Sequence, residues 1–177
     1  MEIKKWITYT TLILILFTFF LPRTISAESQ YVLPYPGSMP GSKLYKAHLL
    51  WENVLRYWHY GNFGQFKYNL KQSDKYLVEA KTLFEYKQYL LGYNALKKSD
   101  NYFEKISPAL EKARKENKDI VQKQNLLNTA GLKHIEVLNS IVVPDKFVWS
   151  PEKASSTILE IKKAIDESIG LRTKIIK

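Results

Sequence analysis

Lys67, Lys71 and Lys75 fall four residues apart, a spacing that stacks side chains on one face of a helix. Tyr68 and Tyr76 interleave with them, and Tyr60, Tyr86, Tyr89 and Tyr93 crowd the same stretch. Lysines on charge with tyrosines stacking beside them would hold a polyanion. The same residues also suit a plainer design, with lysines on the wet face of a helix and tyrosines rimming a core with their hydroxyls in water. The plainer design is the expected one, because no recognition motif accompanies the charge.

Other chemistries fall away residue by residue. The chain has no cysteine, which removes thiol nucleophiles, zinc–thiolate sites and iron–sulfur ligation, and leaves stability to packing. It contains no nucleophile elbow, dinucleotide fingerprint or zinc-protease motif. The stretch Gly37-Ser-Met-Pro-Gly41-Ser-Lys43-Leu44 superficially resembles a phosphate loop. Its spacing is wrong, however, Leu44 stands where a hydroxyl is required, and proline removes a needed amide donor. Helical bundles can hold two irons on Glu-x-x-His, yet no glutamate here has histidine three residues on. His48 and Glu52 lie one turn apart beside an apolar stripe, where a hydrogen-bonded histidine is expected rather than a metal ligand. His59 and His134 have no comparable partner. Asp100 and Glu104, also one turn apart, could share acid/base work, but they interleave with Lys97, Lys98 and Lys105 as on any solvated helix. No catalytic residue, cofactor or metal is expected, and the chain reads as a non-enzyme.

Helices must position these residues, and apolar spacing marks where they run. Residues 28–42 carry Pro34, Pro36, Gly37, Pro40 and Gly41, which predict an extended strap. Tyr31, Val32, Leu33, Tyr35 and Met39 give that strap apolar side chains to press on a body. Ser42 is a plausible N-cap for a helix to about Tyr60, with Leu44, Ala47/His48, Trp51, Val54/Leu55 and Trp58 as a core-facing stripe. A second helix begins near Phe63, with a seam of Phe66, Leu70, Ser73, Leu77, Ala80 and Phe84. Its phase slips at 85–88, predicting a turn, then resumes through Gly92, Ala95, Ser99, Phe103 and Ile106 with small residues that admit a close neighbour. Ser107-Pro108 opens a long stripe to Val143, interrupted by polar Lys112–Asp119 as a hinge or exposed tip. Ser150-Pro151-Glu152 repeats the start signal for a last helix carrying Ile158, Ile161, Ile165 and Ile169, closed by Gly170. No stretch alternates long enough to claim a strand. A tetratricopeptide repeat, suggested by Leu91-Gly92-Tyr93, fails because no second copy follows. The expected fold class is all-α, an elongated antiparallel helical bundle or stacked helical hairpins over 43–177.

The first 27 residues do not look like fold. Lys4 and Lys5 precede an apolar run from Trp6 to Leu21, and Ala27 occupies a plausible cleavage position. A cleaved signal peptide is expected, with an uncleaved membrane anchor as the alternative. Cleavage would leave 150 of the 177 residues, enough for one domain. The net charge of +10 would fall to +8, because Lys4, Lys5 and Arg23 leave with Glu2. A basic surface of this kind tolerates wall polymers, lipid headgroups or extracellular nucleic acid.

Tyr31-Val-Leu-Pro-Tyr-Pro-Gly37, Met39-Pro-Gly-Ser-Lys-Leu-Tyr45, Gln65-Phe-Lys-Tyr-Asn-Leu70 and Asp74-Lys-Tyr-Leu-Val-Glu-Ala80 together resemble an uncharacterised bacterial family of exported helical proteins, a domain of unknown function. The match covers about residues 31–106. It implies export, a helical body and a strap that belongs to the fold, and it carries no catalytic assignment. The expected function is a non-enzymatic scaffolding or protein-interaction module at the cell envelope, secreted or extracytoplasmic, with an envelope protein as partner. The alternative is a binder of anionic polymer through Lys67, Lys71, Lys75, Tyr68 and Tyr76. A membrane partner enters only if the N-terminal segment stays uncleaved.

Overall fold

The structure is a computed structural model that describes residues 30–152 and 155–176. The signal or anchor segment over 1–27 and the first two residues of the strap lie outside the described residues, as does the side chain of His48. The described chain is mostly helical. After the extended strap come α1 (Tyr45–Trp58), α2 (Gly61–Glu85), α3 (Tyr89–Glu104), α4 (Ile106–Lys115) and α5 (Val121–Asn139). A two-stranded antiparallel hairpin follows, β1 (Phe147–Trp149) with β2 (Thr157–Leu159), and then α6 (Ile161–Ile175).

The seam predicted for α2 is the centre of the fold. Phe66, Leu70, Ser73, Leu77, Ala80 and Phe84 are all buried, and so is the line Gly92, Ala95, Ser99, Phe103 and Ile106 that faces it. Small residues bring the two backbones together. Ser73 Oγ donates to Ser99 O (3.0 Å) and Ser99 Oγ donates to Ser73 O (2.8 Å), a reciprocal pair that needs close approach. Gly92 lies under the Phe84 ring, where an added Cβ would sit 2.7 Å from a ring carbon. The turn falls where the phase slips: Lys87 takes a left-handed φ of 58°, and Gln88 N–H donates to Leu83 O (2.8 Å) to close α2.

Two apolar clusters make up the core. One gathers Leu77, Leu83, Phe84, Leu96, Leu138, Ile161 and Ile165, with Leu33 and Met39 of the strap laid against it. The other gathers Phe66, Leu70, Phe103, Ile106, Leu110 and Leu127, with Tyr31 beside it. Each of α2, α3, α5 and α6 passes from one cluster to the other, α2 and α5 in one direction and α3 and α6 in the other.

Several expectations are corrected. The stripe predicted to turn α1 into the core points outward instead: Trp51 is 55% exposed and Trp58 68%, while Glu52, about 100° further round the helix from Trp51, is buried. Val32 and Tyr35 of the strap are likewise exposed. The stripe after Pro108 is interrupted where the polar stretch Lys112–Asp119 marks a hinge or tip: α4 ends at Lys115 and α5 begins at Val121, Asn117 between them takes a left-handed φ of 55°, and α5 then runs unbroken through Gly131. Ser107-Pro108 does not cap a start, because α4 begins at Ile106 with Pro108 in its first turn, where a missing N–H is harmless. Ser150-Pro151 begins no helix either. It belongs to the connection of a short hairpin that pairs Phe147 with Leu159, and Gly170 lies inside α6 rather than closing it.

Candidate functional site

A layer of polar side chains crosses the core between the two apolar clusters, one or two from each helix that passes through. His134 of α5 is fully buried. Arg172 Nε–H of α6 donates to His134 Nδ1 (3.1 Å), which fixes the tautomer with its proton on Nε2, and that N–H donates to Asp74 Oδ1 of α2 (2.7 Å). The other Asp74 oxygen accepts the Tyr31 hydroxyl of the strap (2.5 Å). Arg172 also donates through Nη1 to Asp100 Oδ1 (2.7 Å) and through Nη2 to Ser99 Oγ (2.9 Å), while the Ser168 hydroxyl donates to the same Asp100 oxygen (2.6 Å). The Arg172 guanidinium lies 5.0 Å from the centre of the Phe103 ring.

Burial, and next to it the Arg172 charge, hold the imidazole of His134 below its ordinary range, so it is neutral, as the hydrogen bond from Arg172 requires. Burial and the Asp74 carboxylate push the Tyr31 hydroxyl well above the usual tyrosine value. Both His134 nitrogens and both Asp74 oxygens are thus committed inside the protein. The group has the parts of an acid/base relay, but its geometry is that of a structural clamp joining the strap, α2, α3, α5 and α6.

Outside this layer, α1 is held to α2 by its polar side. Lys75 Nζ meets Glu52 Oε1 at 2.5 Å, the Tyr76 hydroxyl donates to Glu52 Oε2 (3.3 Å), the Tyr68 hydroxyl to Glu52 O (3.3 Å), and the Tyr45 hydroxyl to Glu79 Oε1 (2.9 Å). Burial raises the Glu79 carboxyl above the usual glutamate range, and its second oxygen, buried, has no hydrogen-bond partner among the described residues. Tyr76 stacks on Tyr102 at 5.8 Å with ring planes 2° apart, and Tyr102 meets the edge of Tyr68.

Two grooves open beside α1. The larger, about 350 Å³, lies among the end of α1, the start of α2, the end of α3 and α4. Arg56, Lys105 and Lys112 bring positive charge to it, Asn62, Gln65, Asn69 and Asn101 bring amides, Tyr68 and Tyr102 bring rings, and Glu104 is the lone carboxylate among its lining residues. The smaller, about 260 Å³, lies beneath Pro34, Tyr35 and Gly37 of the strap, with Trp51, Glu52, His59, Lys71, Lys75 and buried Gln72 around it. Gln72 Oε1 has no hydrogen-bond partner among the described residues. Tyr68 lines both.

Of the five residues singled out for anion binding, Lys71, Lys75 and Tyr68 come together at the smaller groove, whereas Lys67 is exposed and lines neither. Lys75 is bound to Glu52, and Tyr68 and Tyr76 are buried, so the two rings are not stacking platforms. Asp100, paired with Glu104 by spacing, turns instead to Arg172, while Glu104 lines the larger groove. Spacing along one helix could not find Arg56, Lys105 and Lys112 together, because Arg56 comes from α1, Lys105 from the link between α3 and α4, and Lys112 from α4. The polar layer did leave a signal: Ser73, Ser99 and His134 occupy seam positions where apolar residues are the rule.

No protein-family model matches the chain, and comparisons with curated proteins and with solved structures give no match. The family resemblance drawn from about residues 31–106 therefore stays an expectation.

Proposed function

We propose that this chain is an exported, non-enzymatic binding module of the cell envelope that holds a segment of anionic polymer in the groove between α1, α2, α3 and α4. One observation carries the reading: across the two grooves that share Tyr68, five cations (Arg56, Lys71, Lys75, Lys105 and Lys112) face two carboxylates, Glu52 and Glu104. Glu52 neutralises Lys75 alone, so the excess positive charge stands at the larger groove and at Lys71. Asn69 and Asn101 beside those cations suit a hydroxylated, charged chain such as a polyol phosphate or an acidic glycan, since an amide both donates and accepts, whereas Asn62 donates to Glu116 and Gln65 to His59 O. The volume of the larger groove is that of a site for one or two such units.

The test is titration of the full chain with a soluble polyol-phosphate polymer at increasing salt. Affinity is expected to fall steeply with salt, as counterion release requires, and by about tenfold or more in the triple variant Arg56→Gln, Lys105→Gln, Lys112→Gln. Lys67→Gln, outside both grooves, should change little. Salt-insensitive binding, or a triple variant that binds as the parent does, would remove the proposal.

A further inference from the structure

The outward face of α1 is an apolar surface on a helix that the body holds by its polar side. At 100° per residue, Leu50, Trp51, Val54, Tyr57 and Trp58 fall within one arc of about 120°, and all five are exposed. Glu52, the only acid of α1, points the other way and is tied to Lys75. The outward side of α1 therefore presents no carboxylate, and Lys43 and Lys46 lie beside it at the start of the helix. A surface of tryptophan and tyrosine among aliphatic residues, flanked by cations, matches the boundary between lipid headgroups and acyl chains.

We infer that α1 docks on the surface of a bilayer containing anionic lipid, lying in its plane with Leu50, Trp51, Val54, Tyr57 and Trp58 inserted. Charge complementarity selects this occupant: an anionic headgroup layer answers the flanking cations while the apolar arc enters the acyl region. Were the N-terminal segment to stay uncleaved, the apolar run ending at Leu21, 24 residues before Tyr45, would also keep α1 beside the membrane. At 14 residues α1 is about 21 Å long, too short to cross, so it lies along the surface. Tyr35, exposed on the strap, lines the smaller groove together with Trp51.

The experiment uses the full chain with Trp6→Phe and Trp149→Phe, so that only Trp51 and Trp58 emit. Vesicles are phosphatidylcholine with or without phosphatidylglycerol, and a parallel set carries brominated acyl chains. Docking is expected to shift the emission to shorter wavelength and to bring quenching by the bromolipids, more strongly with phosphatidylglycerol. A second variant adding Leu50→Ser, Val54→Ser and Tyr57→Ser, all at exposed positions, should need at least about tenfold more lipid for the same shift. Unchanged emission with vesicles present, no bromolipid quenching, or an identical titration for the serine variant would overturn the inference. So would a shift that follows protein concentration without lipid, which would assign the face to a second copy of the chain.

Discussion

Arg172 joins more of the molecule than any other described side chain in the polar layer, touching His134, Asp100, Ser168 and Ser99 at once. Replacing it with Met fills similar space but leaves the Asp100 carboxylate and a buried His134 nitrogen without their partner. The expected loss is about 3–5 kcal/mol, read by urea unfolding. The neutral imidazole has its own signature. Because His134 titrates below its ordinary value near 6.5 in the folded protein, the unfolded chain binds the extra proton first as pH falls. Its contribution to stability is whole above that value and is lost as pH drops towards the folded pKa. In His134→Gln, which can accept from Arg172 and donate to Asp74 but cannot titrate, that part of the pH dependence should vanish even if the midpoint at neutral pH is lower. Glu79 runs the other way: its raised carboxyl penalises the fold as pH climbs through the folded pKa, so Glu79→Gln is expected to raise the thermal midpoint at pH 7 relative to that at pH 4.

At the scale of elements, helices with both sides in the core were legible and the one held by its polar side was not. The α2 and α3 seams are plain in sequence because every core position on them is apolar or small. Gly92 is the tightest point of that seam, and Gly92→Ala should cost about 1–3 kcal/mol, since the Phe84 ring is itself buried and has little room to move. The opposite outcome is expected at the turn, where Lys87→Gly relieves a left-handed side chain and should stabilise by up to about 1 kcal/mol. For α1 the three-to-four spacing of Trp51, Val54 and Trp58 is real, but spacing says only that an apolar face exists, never what covers it. Glu52 carried the missing information. A lone acid on a basic, aromatic helix shows which side the neighbouring Lys75 and the tyrosines claim. The hairpin at 147–159 escaped because three-residue strands are too short to alternate.

For the whole molecule, the polar layer and the inside-out first helix belong together. Two apolar clusters separated by charged and hydroxyl groups fix the register of four helices, and the strap is clamped into the same layer through Tyr31. That leaves α1 tied to the body through Glu52 and Tyr45, with its apolar arc turned outward. The groove cations were invisible in sequence for a related reason, since Arg56, Lys105 and Lys112 meet only after α1, α3 and α4 have packed. The orientation of α1 is the claim on which the rest depends, and tryptophan emission measures it without any ligand. In the full chain with Trp6→Phe and Trp149→Phe, Trp51 and Trp58 are expected to emit close to tryptophan in water and to be quenched freely by acrylamide. Short-wavelength emission shielded from acrylamide would place both rings in the core and contradict the account.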